Sequence, residues 1–186
     1  MARIVIKKAL SRTLKELMLE KPFEKISTEE ICERTGISKR NFYRYFSDKY
    51  ELLSWIYEDE YFSKLAVHDD WTVWDYFPAI CEYCYNDRVF FRRALQVKGQ
   101  SSPRIYWKQV LTPLIRHDFE DTYRSDIAAD FYIDKETDAL FDYMQIWIKS
   151  EPCMPPAEFA AYVRSSVYEH ARRAVEVTGK NLKNTS

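Results

Sequence analysis

The chain has 186 residues, 46% of them hydrophobic and 31% charged, with a formal net charge of −1; this excludes a disordered chain and allows one large domain or two small ones. Its three glycines are too few for the glycine-rich loop of a nucleotide-binding fold, and four scattered cysteines fit a reducing cytoplasm better than a disulfide scaffold. No apolar run nears the ~18 residues of a membrane helix, and the start MARIVIKKAL has charges and no cleavage site, so neither a membrane span nor a signal peptide is expected.

Ile6, Leu10, Leu14 and Leu17 recur at intervals of three and four, which predicts a first helix ending at Lys21-Pro22. Ser27-Thr28-Glu29-Glu30 reads as a capping box: the Ser27 hydroxyl accepts from the Glu30 backbone and the Glu30 carboxylate reaches back. A short second helix follows, and Gly36 ends it in the left-handed conformation. Ser38 caps a third helix from Lys39 to about Phe46, and Ser47 a fourth from Asp48 towards Val67. Further helices are expected near 74–85, 87–97, 104–123, 135–149 and 157–177, and no segment alternates like a strand. The expected architecture is all-α with about nine helices. A three-helix helix-turn-helix head spans 1–50, and a helical ligand-binding and dimerisation body spans 51–186.

Charge is divided unevenly. Residues 1–50 hold twelve basic and seven acidic side chains, a balance of +5, so the chain's net −1 leaves −6 for the rest. A basic head on an acidic body points to a polyanion met by the head alone. Within it, Ile31, Ile37, Phe42 and Phe46 are expected to pack with Leu14, Leu17 and Phe23, leaving Lys39, Arg40, Asn41, Arg44 and Tyr45 outward. Arginine and lysine suit guanine edges, asparagine suits adenine, and tyrosine hydroxyls suit phosphates.

The runs Lys21-Pro22-Phe23-Glu24-Lys25-Ile26, Ile31-Cys32-Glu33-Arg34-Thr35-Gly36-Ile37-Ser38 and Asn41-Phe42-Tyr43-Arg44-Tyr45-Phe46-Ser47-Asp48-Lys49 resemble the DNA-binding head of the tetracycline-repressor (TetR) family. The resemblance implies that Thr28 contacts phosphate or base, and that Lys39, Arg40 and Asn41 open the base-reading helix. It implies that Tyr43 and Tyr45 grip phosphates and that Lys49 meets a phosphate at the start of the fourth helix. Arg40 and Arg44 depart from the residues frequent in the family. Trp74-Asp75-Tyr76-Phe77, Asn86-Asp87-Arg88-Val89-Phe90-Phe91, Lys98-Gly99-Gln100-Ser101 and Met154-Pro155-Pro156-Ala157-Glu158-Phe159 resemble the branch typified by regulators of dihydroxyacetone kinase operons, some of which work with a protein co-activator.

Other constellations carry less. Cys81-x-x-Cys84 lies in an aromatic helical run without a second Cys/His pair, and structural zinc needs four ligands. His117-Asp118 and Glu169-His170 are adjacent pairs, which diverge by about 100° on a helix. Tyr76, Tyr83, Phe90, Phe91, Trp107, Tyr143 and Trp147 either line an effector cavity or fill the core. Phe159, Val163, Val167, His170 and Ala174, with Leu140, Tyr143, Met144 and Trp147 on the preceding helix, form apolar stripes expected to build a two-fold four-helix dimer interface. The expected function is a cytoplasmic, sequence-specific regulator, a repressor in preference to an activator. It binds a palindromic operator on double-stranded DNA as a homodimer and is released by a small-molecule effector or a co-activator protein. No metal, cofactor, membrane partner or catalytic activity is expected. A helical adaptor whose tyrosine-rich head binds a protein is the alternative.

Overall fold

The computed structural model describes residues 2–64, 71–99, 102–119 and 126–183, and these form nine α-helices and no strand. The head consists of α1 (Ala2–Glu20), α2 (Thr28–Thr35) and α3 (Lys39–Phe42). α4 (Lys49–Ile56) leads out of it through a π-helical turn (Tyr57–Tyr61) and a 3-10 turn (Phe62–Lys64). The body consists of α5 (Val73–Asn86), α6 (Arg88–Ala94), α7 (Pro103–Phe119), α8 (Asp126–Lys149) and α9 (Pro156–Lys183).

Apolar burial joins the two parts. A single cluster of buried residues runs from Leu10 in α1 to Val163 in α9, and α4 contributes Leu52, Leu53, Ile56 and then Tyr57 to it. The fourth helix was expected to continue regularly towards Val67; instead it widens at Tyr57, and residues 65–67 lie outside the described residues. The Tyr57 and Tyr61 rings both pack on Phe90 and Phe91, with Tyr61 and Phe91 centroids 4.7 Å apart.

α8 starts at Asp126, well before the expected Lys135. Its first half buries Ile133 and Thr137 and carries a row of charge pairs to α7. Asp130, Asp134 and Asp138 follow one another at four-residue intervals and pair with Arg116, Lys108 and Arg104 of α7 at 2.7, 2.8 and 2.8 Å. A search for apolar periodicity does not register such a ladder.

Five of the nine residues expected to meet a second copy lie in the protomer's own core. Leu140, Met144 and Trp147 of α8 and Phe159 and Val163 of α9 are at most 7% exposed. Trp147 stacks on Phe159 with centroids 4.3 Å apart, and Met144 Sδ lies 3.7 Å from Cys81 Sγ of α5. α9 packs along α5, and Phe159, Ala160 and Val163 are buried within the protomer. Val167 is half-buried, Tyr143 is exposed, and the side chains of His170 and Ala174 lie outside the described residues. An amphipathic stripe requires a cover without specifying which surface provides it.

Two consequences are measurable. Val163→Glu places a charge in the protomer core, so the variant is expected to lose its cooperative thermal transition by circular dichroism; a folded monomer would overturn this placement. The Tyr57 hydroxyl is buried without a hydrogen-bond partner among the described residues. An unmet buried donor costs ~1–3 kcal/mol, so Tyr57→Phe should raise stability by about 1 kcal/mol in a denaturant titration.

Candidate nucleic-acid interface

The helix-turn-helix is built by local chemistry. Ser27, in extended backbone, accepts from the Glu30 N–H at 3.1 Å and starts α2. The reciprocal half of the expected capping box is missing, because the Glu30 carboxylate turns to Lys21 at 2.5 Å. Gly36 ends α2 at φ 76°, a backbone conformation that favours glycine, although a Cβ there would meet nothing within 4 Å. Ser38 then accepts from the Asn41 N–H at 3.2 Å and starts α3. α3 has only four residues before it loosens into turns, yet the Tyr43 and Phe46 N–H groups still donate to carbonyls four residues back, at 3.0 and 3.1 Å. The cap of α4 is Asp48 and not Ser47: its Oδ1 accepts from the N–H groups of Tyr50 and Glu51, both at 2.8 Å.

Phe42 and Phe46 are fully buried with Ile31, Cys32, Leu14, Leu17 and Phe23, while Ile37 is half-buried against them. That anchoring fixes which face points outward. Lys39, Arg40, Tyr43 and Arg44 are exposed, and Asn41, Tyr45 and Thr28 are half-buried at its margins, with Thr28 at the first position of α2. Lys39 is paired with Glu29 at 2.8 Å, and this hydrogen bond raises its pKa. Arg40 and Arg44 have no ion-pair partner among the described residues. Their charge is available to an incoming polyanion.

Lys49, expected at a phosphate, is engaged within the head. Its ammonium donates to the carbonyls of Phe23, Glu24 and Ile26 at 2.9, 3.2 and 2.6 Å, and lies over the Phe23 ring at 4.6 Å from the centroid. These three contacts form a clamp that ties the start of α4 to the turn between α1 and α2. Burial lowers its pKa, against the opposing charges of Glu24 and Asp48.

Several supporting contacts escaped the sequence reading. Arg34 reaches back to Glu20 with two hydrogen bonds of 2.5 and 3.0 Å, and the Thr35 hydroxyl bonds Thr13 at 3.0 Å. Lys7 lies over the rings of Phe46 and Trp55 at 4.8 and 5.2 Å. All of these link residues distant in sequence, and periodicity cannot pair such residues.

Elsewhere, Cys81 and Cys84 are buried and burial pushes both thiols up, the state of an inert core cysteine. Glu169 pairs with Arg172 at 2.8 Å, His117 is exposed, and the side chains of Asp118 and His170 lie outside the described residues. Among the described residues no three His, Cys, Asp or Glu side chains are grouped to hold a metal ion, and no helix is long and apolar enough to cross a membrane. The aromatic residues pack on one another. The space left among Tyr61, Phe62, Ile80, Tyr83, Phe91 and Trp107 is about 10 Å³, barely one water.

A basic one-turn helix, presented by a glycine-ended partner helix and rooted in its own core, defines a helix-turn-helix DNA-binding protein. The family model of the tetR family of bacterial regulatory proteins matches residues 12–55, and that of a transcriptional regulator C-terminal region matches residues 72–168. The chain belongs to the TetR family of transcription regulators. It is 25% identical over 126 residues to the "HTH-type dhaKLM operon transcriptional activator DhaS" of Lactococcus lactis subsp. lactis, a stretch spanning 66% of each chain and so just under two thirds of that relative. In fold it is similar to a solved structure titled "Dihydroxyacetone kinase operon activator DhaS", with a TM-score of 0.63 and 20% identity over 89% of this chain and 96% of the other.

Separate variants distinguish the clamp from the reading face. Lys49→Met is expected to cost about 2 kcal/mol in thermal or denaturant unfolding, since it strips a charged donor from three carbonyls. It should leave the slope of log affinity against log salt unchanged. Arg44→Ala should leave stability near wild type and reduce the magnitude of that slope by about one per head. The opposite pattern would return Lys49 to the phosphates.

Proposed function

We propose that the chain binds a palindromic operator as a homodimer, with residues 1–50 reading DNA and residues 51–186 receiving the signal. The observation that carries this reading is the outward pair Arg40 and Arg44, uncompensated among the described residues, beside Asn41 and Tyr43 on a helix rooted in the core. Arg40 and Asn41 face base edges. Tyr43, Arg44 and Tyr45 face phosphates, with Lys39 and Thr28 at the edge of the footprint.

Dimerisation falls to side chains the protomer leaves uncovered. Ile146 and Tyr162 are 69% and 67% exposed, with Tyr143 of α8 and Met154 of the connection between α8 and α9 also exposed. Two copies joined there place two heads in successive major grooves, ~34–36 Å apart, as a palindrome requires. Activation replaces the expected repression in this proposal, because both DhaS proteins are described as activators. The regulated genes are of the dihydroxyacetone kinase type on the same ground. The nearly filled aromatic centre of the body favours a protein co-activator over a metabolite held inside.

DNA selected from a random pool should be palindromic. Asn41→Ala should then cost ~1–3 kcal/mol at a particular base pair and relax specificity there. Ile146→Asp with Tyr162→Asp should give a folded monomer by light scattering, with operator affinity lost. A double variant that stays dimeric removes this interface, and a selection without symmetry removes the palindrome. Dihydroxyacetone alone should give no saturable heat in calorimetry; a signal coupled to operator release would favour an internal site.

A further inference from the structure

Lys15 of α1 is the one head side chain that reaches both the π-helical turn and the corner before α6, among the contacts of the described residues. Its ammonium donates to Glu60 Oε2 at 2.9 Å and to the Tyr61 hydroxyl at 3.0 Å, and pairs with the Asp87 carboxylate. The Tyr61 hydroxyl donates a hydrogen bond to Asp87 Oδ2 at 2.6 Å, and Ser11 donates to the second oxygen of Glu60. The ammonium also lies over the Phe90 and Tyr61 rings, 5.1 and 5.4 Å from their centroids. Burial lowers its pKa, but hydrogen bonds to Asp87 and Glu60 outweigh this and raise it, so the group stays charged.

Two features give this cluster more than a packing role. Lys15, Glu60 and Asp87 line an open groove of about 500 Å³ together with Arg12, Glu16, Asp59 and Lys64, so the cluster borders solvent and is not enclosed in the apolar core. Apolar contact also tolerates sliding, whereas hydrogen bonds to three fixed acceptors do not. The π-helical turn itself is a single wide turn inserted between α4 and the body, a common position for a hinge.

We infer that Lys15 is a positioning residue: with Glu60, Tyr61 and Asp87 it forms a polar joint that sets the angle of the head against the body. A displacement of the α5–α6 corner by whatever acts on the body reaches α1 through this joint. Its consequence for DNA rests on the dimeric regulator reading; the joint itself does not.

The test reads the angle without DNA. Spin labels on Glu33→Cys in α2 and Gln109→Cys in α7, both exposed positions, are placed in a Cys153→Ser background and diluted with unlabelled protein. Pulsed electron paramagnetic resonance should give one narrow distance in the otherwise wild-type chain. Lys15→Met, which keeps the apolar stem over the rings, and Asp87→Asn should each broaden it, and the double variant should be no broader than either single one. If Lys15→Met loses its cooperative melt, Asp87→Asn carries the test, as its side chain is 34% exposed. Unchanged widths in the folded variants overturn the joint. On a selected operator the same variants should bind the full palindrome about tenfold more weakly, while a single half-site is bound as by wild type. A wild-type chain that binds no duplex strikes the regulator reading, and the distance measurement still decides the joint.

Discussion

A helix of one turn has no stability of its own. Nucleation costs more than a single turn of hydrogen bonds returns, so α3 exists only because Phe42 and Phe46 are sunk into the core formed by α1, α2 and the start of α4. The rest of the head serves that constraint. Gly36 turns the chain, Ser38 meets the first free N–H groups, and Lys49 gathers three carbonyls that would otherwise leave the turn after α1 loose. The reading face is what remains outside once those anchors are in place.

The electrostatics follow the same logic. A chain with a net charge of −1 can present a positive surface if its charges are unevenly distributed and some of its other cations are paired. In the head, Lys15, Lys21, Arg34 and Lys39 sit in ion pairs and Lys49 in a cage of carbonyls. Exposed pairs of this kind contribute little to stability, so their larger effect is to shape the field, leaving Arg40 and Arg44 on the outer face of the helix-turn-helix among the cations a polyanion can meet.

Head and body are joined in two physical modes. Along α4 the contact is apolar, continuous and non-directional; at Lys15 it is polar and fixed in direction. The first keeps the two parts together and the second chooses their angle. The aromatic body supplies a stiff support, with rings stacked from Tyr57 and Tyr61 through Phe90 and Phe91 and little empty space between them.

The sequence by itself determined the helical class, the order of the head's elements and the outward position of Lys39, Arg40 and Arg44. Each depends on interactions spanning three or four residues: the Ser27 and Ser38 caps, the Gly36 turn and the spacing of Phe42 and Phe46. The tertiary structure decided which surface covers each stripe and which partner each charge finds. Val163 and Trp147 lie on stripes that any apolar cover would satisfy, and α5 and the protomer's own loops provide it before a second copy can. Lys49 looks like a surface cation until the carbonyls of a turn more than twenty residues away converge on it. The aspartates of α8 look like the edge of a loop until Arg104, Lys108 and Arg116 face them from α7. In each case the deciding contact joins residues far apart in sequence, and only the folded chain brings them within bonding distance.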